Sequence, residues 1–132
     1  MADISIYVSR IGQSRNLSLR DADNNPLDDE LTTMVSTSQT IQWVLDPSPS
    51  TGRNVGITIV SVTKADSSIP KYANSQQLLV ADPSVSNGVA SGTVVSASPG
   101  SGKFENYSIG FTVNSDPDPK CIYYDDPRLQ MR

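Results

Sequence analysis

The strongest constraint on this chain is a period-two alternation of apolar and polar residues, broken every ten to fifteen residues by proline or glycine. Asp3 to Ser9 sets Ile4, Ile6 and Val8 on one face and Asp3, Ser5, Tyr7 and Ser9 on the other, the signature of a half-buried strand. The alternation resumes over Asn16 to Arg20, Gln39 to Leu45 and Asn106 to Asn114, and Val55 to Thr63, Gln77 to Ala81 and Val89 to Ala97 read as further strands. Lys120 to Tyr124 and Arg128 to Met131 read as two short strands, and Leu31 to Val35 as a short strand or one helical turn. In Val55 to Thr63 the parity changes: Val55, Ile57 and Ile59 share one face while Val60 and Val62 take the other. Either both faces are covered there or a bulge shifts the phase near Ile59.

Composition points the same way. Val, Ile and Thr supply 30 of the 132 residues, while there are only two Glu and seven Ala, so β-branched residues displace the helix formers. Eight or nine short strands without an amphipathic helix predict a single all-β domain over residues 1–132, a two-sheet antiparallel sandwich of jelly-roll or immunoglobulin-like type. Trp43, Tyr107 and Phe111 lie on inward parities and are the expected core anchors, with Tyr107 placed to act as a tyrosine corner whose hydroxyl bonds upstream backbone. Cys121 shares the parity of Tyr123 and is expected to be a small buried residue.

The chain has no histidine and one cysteine. Imidazole bases, Ser-His-Asp and Cys-His nucleophile systems, intrachain disulfides and Cys-Cys metal spacings are therefore excluded. A net charge of −4 disfavours nucleic acid or anionic lipid as partner. Arg10, Arg15 and Arg20 form the one basic cluster, expected to be solvated strand edges. No stretch approaches the roughly 20 apolar residues that span a bilayer, and as written the chain is expected in the cytoplasm, or outside the cell if a leader was removed.

Three patterns touch on chemistry. Asp21, Asp23, Asn25 and Asp29 fall at positions 1, 3, 5 and 9 of a calcium loop, but Pro26 replaces the turn glycine and Thr32 the bidentate Glu, so an EF-hand is rejected. A looser calcium site at these four residues competes with a polar hairpin loop, and no other cofactor is expected. The run from Ala97 to Phe104 lacks the first Gly and the final Ser or Thr of a phosphate loop, and it leads into a strand, so it reads as a flexible hairpin connection. Five of the nine prolines follow Asp, at Asp46, Asp82, Asp116, Asp118 and Asp126. These mark strand ends through Asx-type bonds, or else gather to hold a cation. The acid pairs Asp28/Asp29 and Asp125/Asp126 point to opposite faces in extended chain and make no local catalytic pair.

The segment Tyr107-Ser-Ile109-Gly-Phe111-Thr-Val113, a short loop, and then Tyr123-Tyr124-Asp125-Asp126-Pro127-Arg-Leu129-Gln-Met131 resembles the ending of small bacterial β-sandwich proteins of the AidA/PixA inclusion-body type; Ile41-Gln-Trp43 resembles their middle strand. The resemblance implies a jelly-roll-like sandwich that associates with itself or accumulates in cells, with no catalytic residues to carry over. The function expected from the whole reading is a non-enzymatic structural or interaction protein whose partner is itself or another protein, through edge strands. The alternative is a carbohydrate-binding module in which exposed Tyr7, Tyr72 and Tyr124 meet a glycan and the Asp-rich loops hold calcium.

Overall fold

The computed structural model describes residues 3–11, 17–21, 32–47, 53–54, 56–65, 68–114 and 121–132. Within them the chain forms β1 (Ile4–Ile11), β2 (Leu17–Arg20), β3 (Thr32–Val35), β4 (Thr40–Leu45), β5 (Arg53–Asn54), β6 (Ile57–Lys64), β7 (Ser84–Ser86), β8 (Val89–Thr93), β9 (Phe104–Val113), β10 (Tyr123–Asp125) and β11 (Arg128–Met131). A single 3-10 turn, Pro70–Tyr72, opens on a proline whose fixed φ suits a first helical position. The chain is all-β and sandwich-like. One sheet runs β2-β1-β4-β8-β7, with β5 on β1; the other runs β10-β9-β11-β3, with β6 on β9.

Both sheets are mixed, not antiparallel as expected: β1 pairs β4 in parallel and β11 pairs β3 in parallel. Alternation dictates which face of a strand is buried, but it carries no information about which remote strand lies alongside. Strand β9 organises the second sheet. Its first part, Phe104 to Asn106, pairs β11, and Ile109 to Phe111 pairs β10. Asp126-Pro127 separates the two partners; Pro127 has no N–H to give, yet its carbonyl still accepts the Tyr107 N–H at 3.1 Å.

The alternating apolar faces meet between the sheets. Ile6, Val8, Leu17, Leu19, Ile41 and Trp43 come from the first, and Ile57, Ile59, Val62, Tyr107, Ile109, Phe111 and Leu129 from the second, all buried. The parity change in β6 is a bulge: register shifts between Ile59 and Ser61, and Val60 is left 37% exposed. Two expected strands shorten. Val89 to Ala97 ends as strand at Thr93, and Gln77 to Ala81 keeps only a bridge between Leu79 and Val94. The β7–β8 hairpin, not anticipated, turns on Asn87 and Gly88 at φ 53° and 77°, which is why Asn-Gly serves a two-residue turn. Residues 94–103 connect β8 in one sheet to β9 in the other, so Pro99 to Gly102 lie in a crossover and not a hairpin.

Gly110 is the glycine that packing requires. A Cβ there would collide with the Ser61 hydroxyl and come within 3.0 Å of the Tyr124 ring and 3.4 Å of Ile122. Tyr124 is the register partner of Gly110 across β9 and β10, so the aromatic ring covers the gap the glycine leaves. Gly110→Ala is expected to lose about 1–3 kcal/mol through overpacking, read from denaturant unfolding. A loss below about 0.5 kcal/mol would show that Ser61 and Tyr124 move aside freely.

Candidate functional site

Among the described residues, the acidic side chains singled out in the sequence are engaged in holding the fold. Asp46 accepts two bonds from Arg20, at 2.8 Å from Nε and 2.9 Å from Nη2, and Arg20 also lies 4.3 Å above the Tyr7 ring. The carboxylate beside it holds the Arg20 guanidinium above its ordinary pKa, against an opposing effect of burial. Arg20 is therefore a cross-strand clamp, and Arg10 is only 4% exposed; neither is the solvated edge that was expected. Asp82 accepts the Lys64 N–H at 3.1 Å. Asp126 accepts the Ser108 hydroxyl at 2.8 Å and the Tyr72 hydroxyl at 2.6 Å. Its neighbour Asp125 accepts the buried Leu17 N–H, so the two adjacent carboxylates serve different elements.

Asp21 is 2% exposed and accepts the Thr33 hydroxyl at 3.1 Å. Its companions in the calcium pattern, Asp23, Asn25 and Asp29, lie outside the described residues, as do Asp28, Asp116 and Asp118. Among the described residues no three His, Cys, Asp or Glu side chains gather as metal ligands.

The three tyrosines separate. Tyr7 is half-buried beneath Arg20. Tyr72, expected at the surface, is 7% exposed, and its hydroxyl bond to Asp126 pushes its pKa up to about 12, with burial adding to the shift. Tyr72 therefore pins the 3-10 turn to the end of β10 and offers no ring face for stacking. Tyr124 alone is open, at 58%. Cys121 is half-buried, not enclosed as expected. Trp43, Tyr107 and Phe111 are fully buried, as their parity required. The Tyr107 hydroxyl accepts the Trp43 indole N–H at 3.0 Å and so bonds across the core instead of to upstream backbone.

Glu105 was not singled out by sequence reasoning, though it is one of only two glutamates in the chain. It sits on an inward position of β9 at 2% exposure, and its Oε1 accepts the N–H groups of Leu78 and Leu79 at 3.1 and 3.0 Å. Those two donors would otherwise be orphaned where the expected strand gives way to a bridge. Burial raises the Glu105 pKa above its ordinary value; the two N–H bonds and Lys64 oppose that rise, and Asp82 adds to it. The signal in sequence was the parity of Glu105 with Tyr107 and Ile109, a charged residue on a core face.

Among the described residues, the large apolar side chains that stay exposed are Val60 on β6, Tyr124 on β10 and Ile122 just before it, and Ile69 and Val80 outside the strands. Ile122 and Tyr124 stand over Gly110 on the second sheet, 42% and 58% exposed, beside the Ser61 hydroxyl. Such an array can bury apolar area against another molecule. In comparisons with known proteins, no family model and no curated protein matched the chain.

Proposed function

We propose that this chain is a non-enzymatic interaction protein that works by associating with a second copy of itself or with another protein. On this reading the sandwich-like fold has the jelly-roll or immunoglobulin-like arrangement implied by the C-terminal resemblance to AidA/PixA-type proteins. The observation that carries the proposal is the exposed apolar pair Ile122 and Tyr124 over Gly110 on the second sheet. Every fully buried side-chain polar atom among the described residues has a hydrogen-bond partner, so the interior polar groups have structural work. The three-residue edge strand β7 offers a second contact, because the outer backbone groups of an edge can add a neighbouring chain.

Sedimentation equilibrium of the full chain across the micromolar range is expected to show reversible association. Ile122→Lys and Tyr124→Lys should each weaken it at least tenfold while leaving the far-ultraviolet spectrum unchanged. A wild-type chain that stays monomeric throughout and recovers no protein partner contradicts the proposal.

The glycan-binding alternative keeps one supporting feature, the open Tyr124 ring beside the Ser61 hydroxyl, since an aromatic face next to a hydroxyl is suited to a sugar ring. Array binding measured with calcium and with a chelator tests it, together with the calcium expected at the Asp-rich loops.

A further inference from the structure

We infer that the outer face of β4, β8 and β7, on the first sheet and away from Tyr124, is a binding groove for a neutral oligosaccharide. A concavity of about 520 Å³ lies across these three strands, within the roughly 300–1,000 Å³ of ordinary small-ligand sites. Its polar lining is Thr40 and Gln42 from β4, Ser91 and Thr93 from β8, and Ser84 from β7.

Register turns these five side chains into a grid. Thr40 stands opposite Thr93, and Gln42 opposite Ser91, which in turn faces Ser84. Neighbours are therefore about 4.8 Å apart across strands and about 6.7 Å apart along them. The hydroxyls of Ser84, Ser91 and Thr93 make no hydrogen bond among the described residues, although each is exposed except for its strand backbone. The Gln42 amide is oriented by its own Nε2, which donates to the Ser5 hydroxyl at 2.8 Å and leaves the amide oxygen as an acceptor. The Thr40 hydroxyl is held in turn by the Asp3 carboxylate at 3.3 Å.

The chemistry of the lining selects the ligand. Among the described residues that line this groove, none is charged. Among those lining residues an anion finds no guanidinium or ammonium and meets a chain of net charge −4, and the nearby Asp3 carboxylate is already taken up by the Thr40 N–H and hydroxyl. Hydroxyls donate and accept alike, so they answer the hydroxyls of a sugar in either sense. A row of them at fixed strand spacing suits a chain of polyols better than a flat apolar molecule. The inference shares its ligand class with the glycan alternative above, but it uses a different face and different residues.

The test is an array bearing neutral, sialylated and sulfated oligosaccharides, probed with the 132-residue chain and with Ser91→Arg, Thr93→Arg and Tyr124→Lys. The two arginine substitutions fill the groove from exposed strand positions, and circular dichroism and melting verify that each variant is folded. Neutral oligosaccharides are expected to bind the wild-type chain. Ser91→Arg and Thr93→Arg should lose at least tenfold in affinity, a larger loss than that of Tyr124→Lys on the other sheet. The inference is overturned if no neutral glycan binds, if only charged ones do, or if folded Ser91→Arg binds unchanged. Loss in Tyr124→Lys with retention in the groove variants would assign the sugar to the other sheet and overturn it equally. If Ser91→Arg instead abolishes self-association without any glycan binding, the groove is a protein contact and the inference fails while the proposed function stands.

Discussion

Trp43→Ala is expected to cost about 3–5 kcal/mol, the largest single loss available in this fold. The side chain is fully buried on β4, and its ring meets Tyr107 edge-on at 5.5 Å between centroids and an interplanar angle of 66°. Removing it opens a cavity between the two sheets and also leaves the Tyr107 hydroxyl without its indole donor. For a domain of this size the loss corresponds to a fall in melting temperature of roughly 10–20 °C. Tyr107→Phe separates the two contributions, because it keeps the ring and orphans the indole N–H at a cost of about 1–3 kcal/mol. A double-mutant cycle with Trp43→Phe and Tyr107→Phe is expected to show coupling of about 0.5–3 kcal/mol. Because Trp43 is the sole tryptophan, its fluorescence reports on the same contact in the Tyr107 variant. A Trp43→Ala loss under about 2 kcal/mol would mean that the sheets close over the vacancy.

Glu105 should give the second largest effect and the more diagnostic one. Glu105→Ala removes the acceptor of two buried N–H groups, and a loss of about 2–4 kcal/mol is expected from denaturant unfolding. Glu105→Gln retains an amide oxygen for Leu78 and Leu79 and places its NH₂ beside a small polar cavity of about 80 Å³, where Ser75, Gln76 and Gln77 can share a water with it. The pH dependence follows from the direction of the shift. The folded chain holds the Glu105 proton more tightly than the unfolded one, so this group contributes most below the unfolded pKa near 4.3, and that contribution is lost as pH rises through the higher folded value. Stability of Glu105→Gln relative to the wild type should therefore rise from pH 4 to pH 7. Taking the difference cancels every titration that is common to both proteins. A difference that is flat or falls with pH would mean that the two N–H bonds and Lys64 outweigh the burial of the charge.

Both sites show how far the sequence could be read. The inward parity of Trp43, Tyr107 and Phe111 is a local property of alternating strands, and the structure buries all three. The phase change after Ile59 is local too, and it marks the bulge. The partner of the Tyr107 hydroxyl was a different kind of question: Trp43 lies 64 residues away, on the opposite sheet. Glu105 belongs to the same class, because its value to the fold depends on Leu78 and Leu79, which are donors only because their expected strand pairs at a single bridge. Tyr72 looked like a surface aromatic until Asp126, 54 residues on, proved to hold its hydroxyl. The Asp-Pro steps were legible as strand-end punctuation, yet the particular donor each carboxylate meets was not.

By itself the sequence determined that the chain builds strands, which residues of most strands face inward, and which catalytic chemistries lack their residues; all of these follow from one residue and its near neighbours. The tertiary structure alone decided the parallel pairing of β1 with β4 and of β3 with β11, the bond between the sheets at Trp43 and Tyr107, the burial of Glu105, and the alignment of Thr40, Gln42, Ser84, Ser91 and Thr93 into one groove. The physical reason is that period-two patterning specifies a face but not a neighbour. Many strand orders bury the same apolar residues nearly equally well, and the choice among them rests on loop closure and on long-range hydrogen bonds that no local pattern records.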